Sequence, residues 1–251
     1  MKPTLSALDE ARFGIATAKV TIDGGQSVDE TLAECDTLGA RLGIIRVSTK
    51  NFGQIAELEG AGAFLADTLI YTRNDRIDAV KSGAPAGYKI REAIEADADA
   101  IAQVAAVSFS GYEGHYHSDP NLRREDADEV YVSWARNCCI NRKVADAVLV
   151  AETQGNIAGF GALRMIDEKT FDGVLFAVAP DHRRKGLLSA LIGASAQWGV
   201  AQGFASMEYS THLTNIAALN AVTGMGFRID RSFHTFHRWV DAPSVTSPRS
   251  S

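Results

Sequence analysis

The chain has 251 residues, a formal net charge of −6 and a hydrophobic fraction of 46%, enough to bury a sizeable core in one domain or two modest ones. The acid excess argues against broad nucleic-acid binding, no run of about 18 apolar residues offers a membrane span, and the first residues lack the apolar core of a leader. Three cysteines, Cys35, Cys138 and Cys139, give no disulfide framework, so a soluble protein of the reducing cytoplasm is expected.

In chain order, the first helix signal is 27–38, where Ser27 and Glu30 stand at the spacing of a capping box. An apolar run at 42–47 reads as a strand, the stretch from Asn51 to Gly60 as a short helix, and 65–72 as another strand. Charges followed by Ser-Gly-Ala-Pro-Ala-Gly make 74–87 the natural linker. The expected division is therefore an α/β half-domain at 1–80, a second domain at 88–240, and a Ser- and Pro-rich tail at 241–251 that reads as disordered. The second domain opens with a strand at 88–93 and a helix from Glu95 with acidic residues in its first turn. A polar loop at 109–120 leads to a helix at 126–137. Strands at 148–152 and 157–165 flank Gln154-Gly155-Asn156, a hairpin signal. A buried strand at 174–178, a basic turn, a helix from near Leu187, a strand at 205–209, a helix opened by Asn215 and a strand at 229–236 complete the order. Such an alternation predicts an α/β fold whose mixed sheet is flanked by helices.

Part of the chain repeats. Aligning 51–68 with 215–232 sets Asn51 on Asn215, Gly60 on Gly224 and Gly62 on Gly226, with apolar residues in register between them. The strands before and after, 42–47 with 205–209 and 65–72 with 229–236, align as well. This reads as one strand–helix–strand unit used twice, each helix ending at a glycine suited to a left-handed cap.

The basic turn Arg183-Arg184-Lys185-Gly186 directly precedes a helix. A helix start offers unpaired N–H groups and the positive end of its dipole, glycine permits close backbone approach, and the cations add charge at the same spot. The first repeat has no counterpart of this turn, so 1–80 reads as a degenerate copy without its own phosphate seat.

Arg183-x-x-Gly186, led in by Val178-Ala179-Pro180, resembles the acyl-CoA signature of the GCN5-related N-acetyltransferase (GNAT) superfamily, except that Leu188 stands where Gly or Ala is usual. Asn215-x-x-Ala218 with Gly226-Phe227 resembles the family's later helix and final strand. The resemblance implies the GNAT fold, a mixed and mostly antiparallel sheet, and acetyl-CoA as the acyl donor. It also implies that Arg183, Arg184, Lys185, Gly186, Leu187 and Leu188 seat the pyrophosphate and that Asn215 and Ala218 contact the pantetheine arm. Backbone groups at Phe176, Ala177 and Val178 would polarise the thioester carbonyl. Val222 stands where many members carry a tyrosine acid, which leaves Tyr209, His212 or water for the leaving thiolate. For the amine proton the loop offers Glu113, His115, His117 and Asp119, with His117 preferred.

Within the family, the chain is similar to the branch acting on dTDP-4-amino-4,6-dideoxygalactose (dTDP-fucosamine) and related sugar-nucleotide amines, with Phe109, Tyr116, Asp119 and Trp134 in the places of the branch's loop and helix. Tyr112, Glu113, His115, Tyr116, Asp119 and Trp134 are accordingly the expected substrate contacts. No regular metal-ligand spacing occurs, so no metal is expected. Acetylation of another small amine, or a non-catalytic acyl-CoA-binding module, are the alternatives. The stretch 233–239 is either a dimerising strand, giving a homodimer, or the last member of the sheet.

Overall fold

A computed structural model describes residues 2–22 and 24–240. The expected tail at 241–251 lies outside the described residues. The chain runs β1 (Thr4–Leu5), α1 (Ala7–Phe13), β2 (Thr17–Ile22), α2 (Val28–Thr37), β3 (Leu42–Ser48), α3 (Phe52–Gly60), β4 (Phe64–Asn74) and β5 (Lys89–Glu92). It continues through α4 (Ala98–Phe109), α5 (Arg124–Ile140), β6 (Ala147–Thr153), β7 (Asn156–Met165), β8 (Thr170–Val178), α6 (Leu187–Gln202), β9 (Ser206–His212), α7 (Ile216–Gly224) and β10 (Arg228–Trp239).

Two units form. One comprises Met1–Thr68, Ser118–Arg123 and Ser232–Ser251; the other comprises Leu69–His117 and Arg124–Arg231. This partition differs from the linear one at 80/88, because β4 and β10 each begin in one unit and end in the other. The stretch expected as a linker is packed instead. Ile77 and Val80 are buried in the core of the second unit, and Gly193 of α6 lets the Lys81 carbonyl approach so closely that a Cβ there would collide with its oxygen.

In the first unit β2 pairs antiparallel with β1 and parallel with β3, and β3 pairs antiparallel with β10 from Phe233↔Ser48 to Trp239↔Leu42. The 233–239 stretch is thus a sheet member of this chain. Val20, Ile22, Val28, Leu32, Ile45, Leu58 and Phe236 make the core. In the second unit, β4 pairs antiparallel with β9 from Leu69↔His212 to Asn74↔Met207, β9 parallel with β8, and β8, β7, β6 and β5 follow antiparallel. Gln154 and Gly155, both at positive φ, close the β6–β7 hairpin, as a two-residue primed turn requires. Phe171, Leu187, Leu191, Ile192, Met207 and Val222 fill the core under α6 and α7. Burying each such side chain contributes roughly 1.5–3 kcal/mol.

The repeat is present in three dimensions. Asn51 and Asn215 are the N-cap residues of α3 and α7, and the chain reverses after each helix at a left-handed glycine, Gly62 (φ +79°) and Gly226 (φ +88°). Gly60 and Gly224 are the last helical residues rather than the left-handed ones, so the glycine requirement sits two positions later than the cap expected. Among the described residues no helix is long and apolar enough to cross a membrane.

Candidate functional site

The parallel strands β8 and β9 are paired from Thr170↔Ser206 only as far as Gly173↔Tyr209, although β8 continues to Val178 and β9 to His212. Beyond Gly173 they part, and the β8 edge facing β9 has backbone groups outside any ladder. On its other edge β8 stays paired with β7 up to Gly159↔Val178, with a register shift opposite Ala162/Leu163 that skips Val174. Open α/β sheets take ligands at the carboxyl ends of strands that diverge. A cavity of about 590 Å³ lies there.

Each wall has a local cause. Phe176, Ala177 and Val178 come from the free end of β8, and the Phe176 ring lies over Gly161 and Gly173, where a side chain would collide with it. Gly186, Leu187, Leu188 and Ser189 come from the start of α6, Asn215, Ala217, Ala218 and Ala221 from the face of α7, and Tyr209 from β9. Ser108 to Tyr112, at the end of α4, close the remaining side. The Ser108 hydroxyl is buried there without a hydrogen-bond partner.

The start of α6 is left open. Its N-cap is Gly186 (φ +78°), no side chain caps it, and its first turn holds no acid. Arg184 also adopts a positive φ of +60°, rare for a side chain of its size and a local strain of order 1 kcal/mol. The three cations behave differently. Arg183 donates Nε–H to the Val178 carbonyl at 3.1 Å and Nη2–H to the Ser108 carbonyl at 2.9 Å. Lys185 donates Nζ–H to the Asp181 carbonyl at 2.9 Å and does not line the cavity. Arg184 is exposed and lines the cavity.

Of the expected cofactor contacts, ten of eleven thus line the cavity, Lys185 being the one that does not. The expected substrate and proton-transfer residues are mostly elsewhere. Tyr112 and Tyr209 line the cavity; Glu113, His115, Tyr116, His117, Asp119, Trp134 and His212 do not. Each of these has a visible occupation or place. Glu113 accepts from Arg124 at 2.6 Å on the surface, the His115 and Tyr116 rings lie tilted against each other with centroids 3.9 Å apart, and Trp134 sits on α5. The buried His117 ring accepts Gly114 N–H at Nδ1 (3.1 Å), so its proton is on Nε2, 3.0 Å from Asp128 Oδ1. Neither nitrogen is left to take a substrate proton. Asp119 belongs to the first unit, buried, with Oδ2 2.6 Å from His237 Nδ1 and accepting from Trp239 Nε1 at 2.9 Å, while Oδ1 accepts the Asn121 amide. His212 is buried edge-on to Tyr112, ring centroids 5.4 Å apart.

Cavity residues the sequence did not single out are Ser108, Ser110, Gly111, His182, Ser189, Ala217 and Ala221. The small alanines of α7 carried a signal, since 217, 218 and 221 recur at helical spacing on one face.

Charge on the paired stretch of β8 and β9 is unusual. Asp172 on β8 has a buried carboxyl oxygen without a hydrogen-bond partner. Burial, and then the Glu208 carboxylate beside it, push its pKa up to about 7 against the pull of Arg231. Glu208 itself is gripped by Arg231, at 2.6 and 3.0 Å, and by Arg73 at 3.4 Å. Burial, and then Asp172, hold the Tyr209 phenol above its ordinary range and therefore protonated.

Residues 109–227 match the model of the Acetyltransferase (GNAT) family, and that span contains the parted strands, the open helix start and the α7 wall. Over that span the chain is similar to the GNAT family. The spore coat polysaccharide biosynthesis protein SpsD of Bacillus subtilis (strain 168) is 29% identical over 144 residues, 57% of this chain and 48% of that protein. N-acetyltransferase family 8 member 3 of Mus musculus is 32% identical over 93 residues, 35% of this chain and 41% of that protein. The chain spans about half the length, or less, of these curated relatives. The solved tandem GNAT protein from the clavulanic acid biosynthesis pathway (without AcCoA) has a TM-score of 0.63 at 15% identity, covering 92% of this chain and 77% of that one. It shares the GNAT fold, a mixed and mostly antiparallel sheet flanked by helices.

Proposed function

We propose that the chain is an acetyl-CoA-dependent N-acetyltransferase that acetylates the amine of a nucleotide-linked, dTDP-type amino-deoxysugar by direct transfer. The observation that carries this reading is the cavity at the parted ends of β8 and β9, with the uncapped start of α6 as one wall. Unsatisfied first-turn N–H groups, the positive helix end and the left-handed Arg184 and Gly186 suit a pyrophosphate, and the exposed Arg184 side chain adds charge to it. Asn215 and the small Ala217, Ala218 and Ala221 give a shallow, mostly apolar wall suited to a pantetheine arm. Acetyl-CoA, when bound, supplies the acetyl group activated as a thioester.

The chain's own residues account for the rest. Backbone N–H groups on the free edge of β8, within 174–178, are donors for a carbonyl oxygen that gains charge. Phe109 and Tyr112 offer flat faces to a sugar or base, and the Ser108 hydroxyl offers a polar contact. Tyr209, kept protonated by burial, is the donor toward the leaving sulfur. With His117 and His212 outside the cavity, water takes the amine proton in this reading.

The sugar half of the proposal draws on the relative named for polysaccharide biosynthesis. A second reading, another small amine as acceptor, is favoured by one observation: of the six residues expected to hold the sugar nucleotide, only Tyr112 lines the cavity. Thiol release from acetyl-CoA against a panel of dTDP- and UDP-linked 3- and 4-amino-deoxysugars tests both. Turnover with one sugar nucleotide supports the first reading. Silence across the panel, with acetyl-CoA binding shown by calorimetry, moves the acceptor to a different amine.

A further inference from the structure

Arg183 opens the basic turn, and its position in the motif invites a role as a phosphate cation. Its guanidinium is spent otherwise. One N–H goes to the carbonyl of Val178, the last residue of β8, and another to the carbonyl of Ser108, in the last turn of α4. Helix α4 needs that donor. It ends at Ser110 (φ −57°, ψ 121°), and the chain reverses at the left-handed Gly111 (φ +73°), which brings the Tyr112 amide onto the Phe109 carbonyl and leaves the Ser108 carbonyl to Arg183. A cation set on the terminal carbonyls of a helix both satisfies an orphan acceptor and meets the negative end of the dipole. The residues just beyond the tie are those closing the cavity: Phe109 stacks on Tyr131 at 4.5 Å, and Tyr112 donates its amide to the Phe109 carbonyl at 2.9 Å and lies edge-on to His212.

We infer that Arg183 is a positioning residue for the acceptor side of the cavity. Its planar fork joins the end of β8, where the coenzyme turn begins, to the C-terminus of α4, and so fixes the 108–112 segment that presents Phe109 and Tyr112. Phosphate binding falls instead to Arg184 and to the backbone at Gly186. The assignment of an acceptor side rests on the N-acetyltransferase reading above; the tie itself does not. Lysine cannot replace the fork, since one ammonium on a flexible stem does not hold two carbonyls in fixed directions.

The test compares Arg183→Met, Arg183→Lys and Arg184→Met in the full chain by amide hydrogen exchange and by calorimetric titration with acetyl-CoA. Loss of a charge-assisted bond predicts about tenfold faster exchange at the Tyr112 amide in Arg183→Met, an intermediate gain in Arg183→Lys and none in Arg184→Met. Acetyl-CoA affinity stays within about fivefold of wild type in both Arg183 variants and falls further in Arg184→Met. With an acceptor that turns over, Arg183→Met raises the acceptor's KM about tenfold and leaves that of acetyl-CoA in place. Unchanged exchange in both Arg183 variants, or an acetyl-CoA affinity weakened beyond fivefold in Arg183→Lys, overturns the inference. A wild-type chain that fails to bind acetyl-CoA would sink the enzymatic reading, while the exchange comparison still decides the tie. Should Arg183→Met melt below the working temperature, Arg183→Lys carries both measurements.

Discussion

The strand–helix–strand–helix–strand unit is folded twice and opened once. In the first copy β2 stays paired with β3 from Thr17↔Leu42 to Ile22↔Val47, its whole length; in the second, β8 leaves β9 after Gly173↔Tyr209. Helix α2 starts at Ser27, whose Oγ accepts the Glu30 amide, and carries Asp29 and Glu30 in its first turn; α6 starts at Gly186 with neither cap nor acid. Asn51 donates to Gln54 Oε1 at 3.0 Å, and Gln54 donates to the Gln26 carbonyl at 2.7 Å, stitching the start of α3 to the approach of α2. Its counterpart Asn215 caps α7 and lines the cavity. Even the strand charges differ: Lys19 of β2 meets the buried Asp9, whereas Asp172, at the matching register of β8, faces Glu208. The same backbone plan yields a site only where pairings, a cap and side-chain bridges are withheld.

The sharpest way to break this comparison is to give the open copy a closed copy's start. Gly186→Asp forces a side chain into the left-handed region and sets a carboxylate on the helix N-terminus; acetyl-CoA binding is expected to weaken about 100-fold by calorimetry. Binding retained within threefold would show that the turn is not the anion seat. The reverse experiment loosens the closed copy. Ser27→Ala with Gln54→Ala lowers the unfolding free energy by about 2 kcal/mol in denaturant melts, while titration still gives one acetyl-CoA per chain. A second coenzyme equivalent would mean that the first copy is a masked site rather than a scaffold.

Asp172→Asn sharpens the charge difference. Since burial raises the folded-state pKa from 3.8 to about 7, the folded protein keeps a proton that the unfolded chain has released in between. Stability is therefore eroded as pH rises across that window, and the loss is complete above about 7. The Asn variant is expected to melt a few degrees above wild type at pH 8, with the gain fading toward pH 4. A constant gain at both pH values would remove the titration from the explanation. The smallest effect is expected from Leu188→Ala, which clears a bulky side chain from the cavity wall and should tighten acetyl-CoA about threefold.

Much of this was legible in the residues because backbone geometry dictated them. Asn215 caps α7 through its side chain, and Gly62 and Gly226 take left-handed reversals that few other residues satisfy; with Asn51 at the matching N-cap position, the repeat shows in the sequence. The open helix start was legible for the same reason, through Gly186 and the cations before it. The acceptor side was not. The loop at 109–120 is dense in hydrogen-bonding groups, but residue type does not tell whether a group finds its partner inside the protein. His117 and Asp119 do so, on Asp128 and on His237 with Trp239. The charge of Arg183 says nothing of its fork, which serves two carbonyls. The 74–87 stretch looked like a linker because charges and glycines outnumber Ile77 and Val80, yet those two residues decide its burial.

The shared strands bear on how the chain is made. The first unit is completed by Ser232–Trp239, which a ribosome delivers only after all of the second unit. Until then β3 has an open edge from Leu42 to Ser48, with its ladder partner still unsynthesised. Closure of the first unit's sheet is thus deferred until the second unit has been synthesised, and this longest-range pairing is the aggregation-exposed step. A chain truncated before Ser232 would lose more than β10: β3 of the first unit would have no strand to close on.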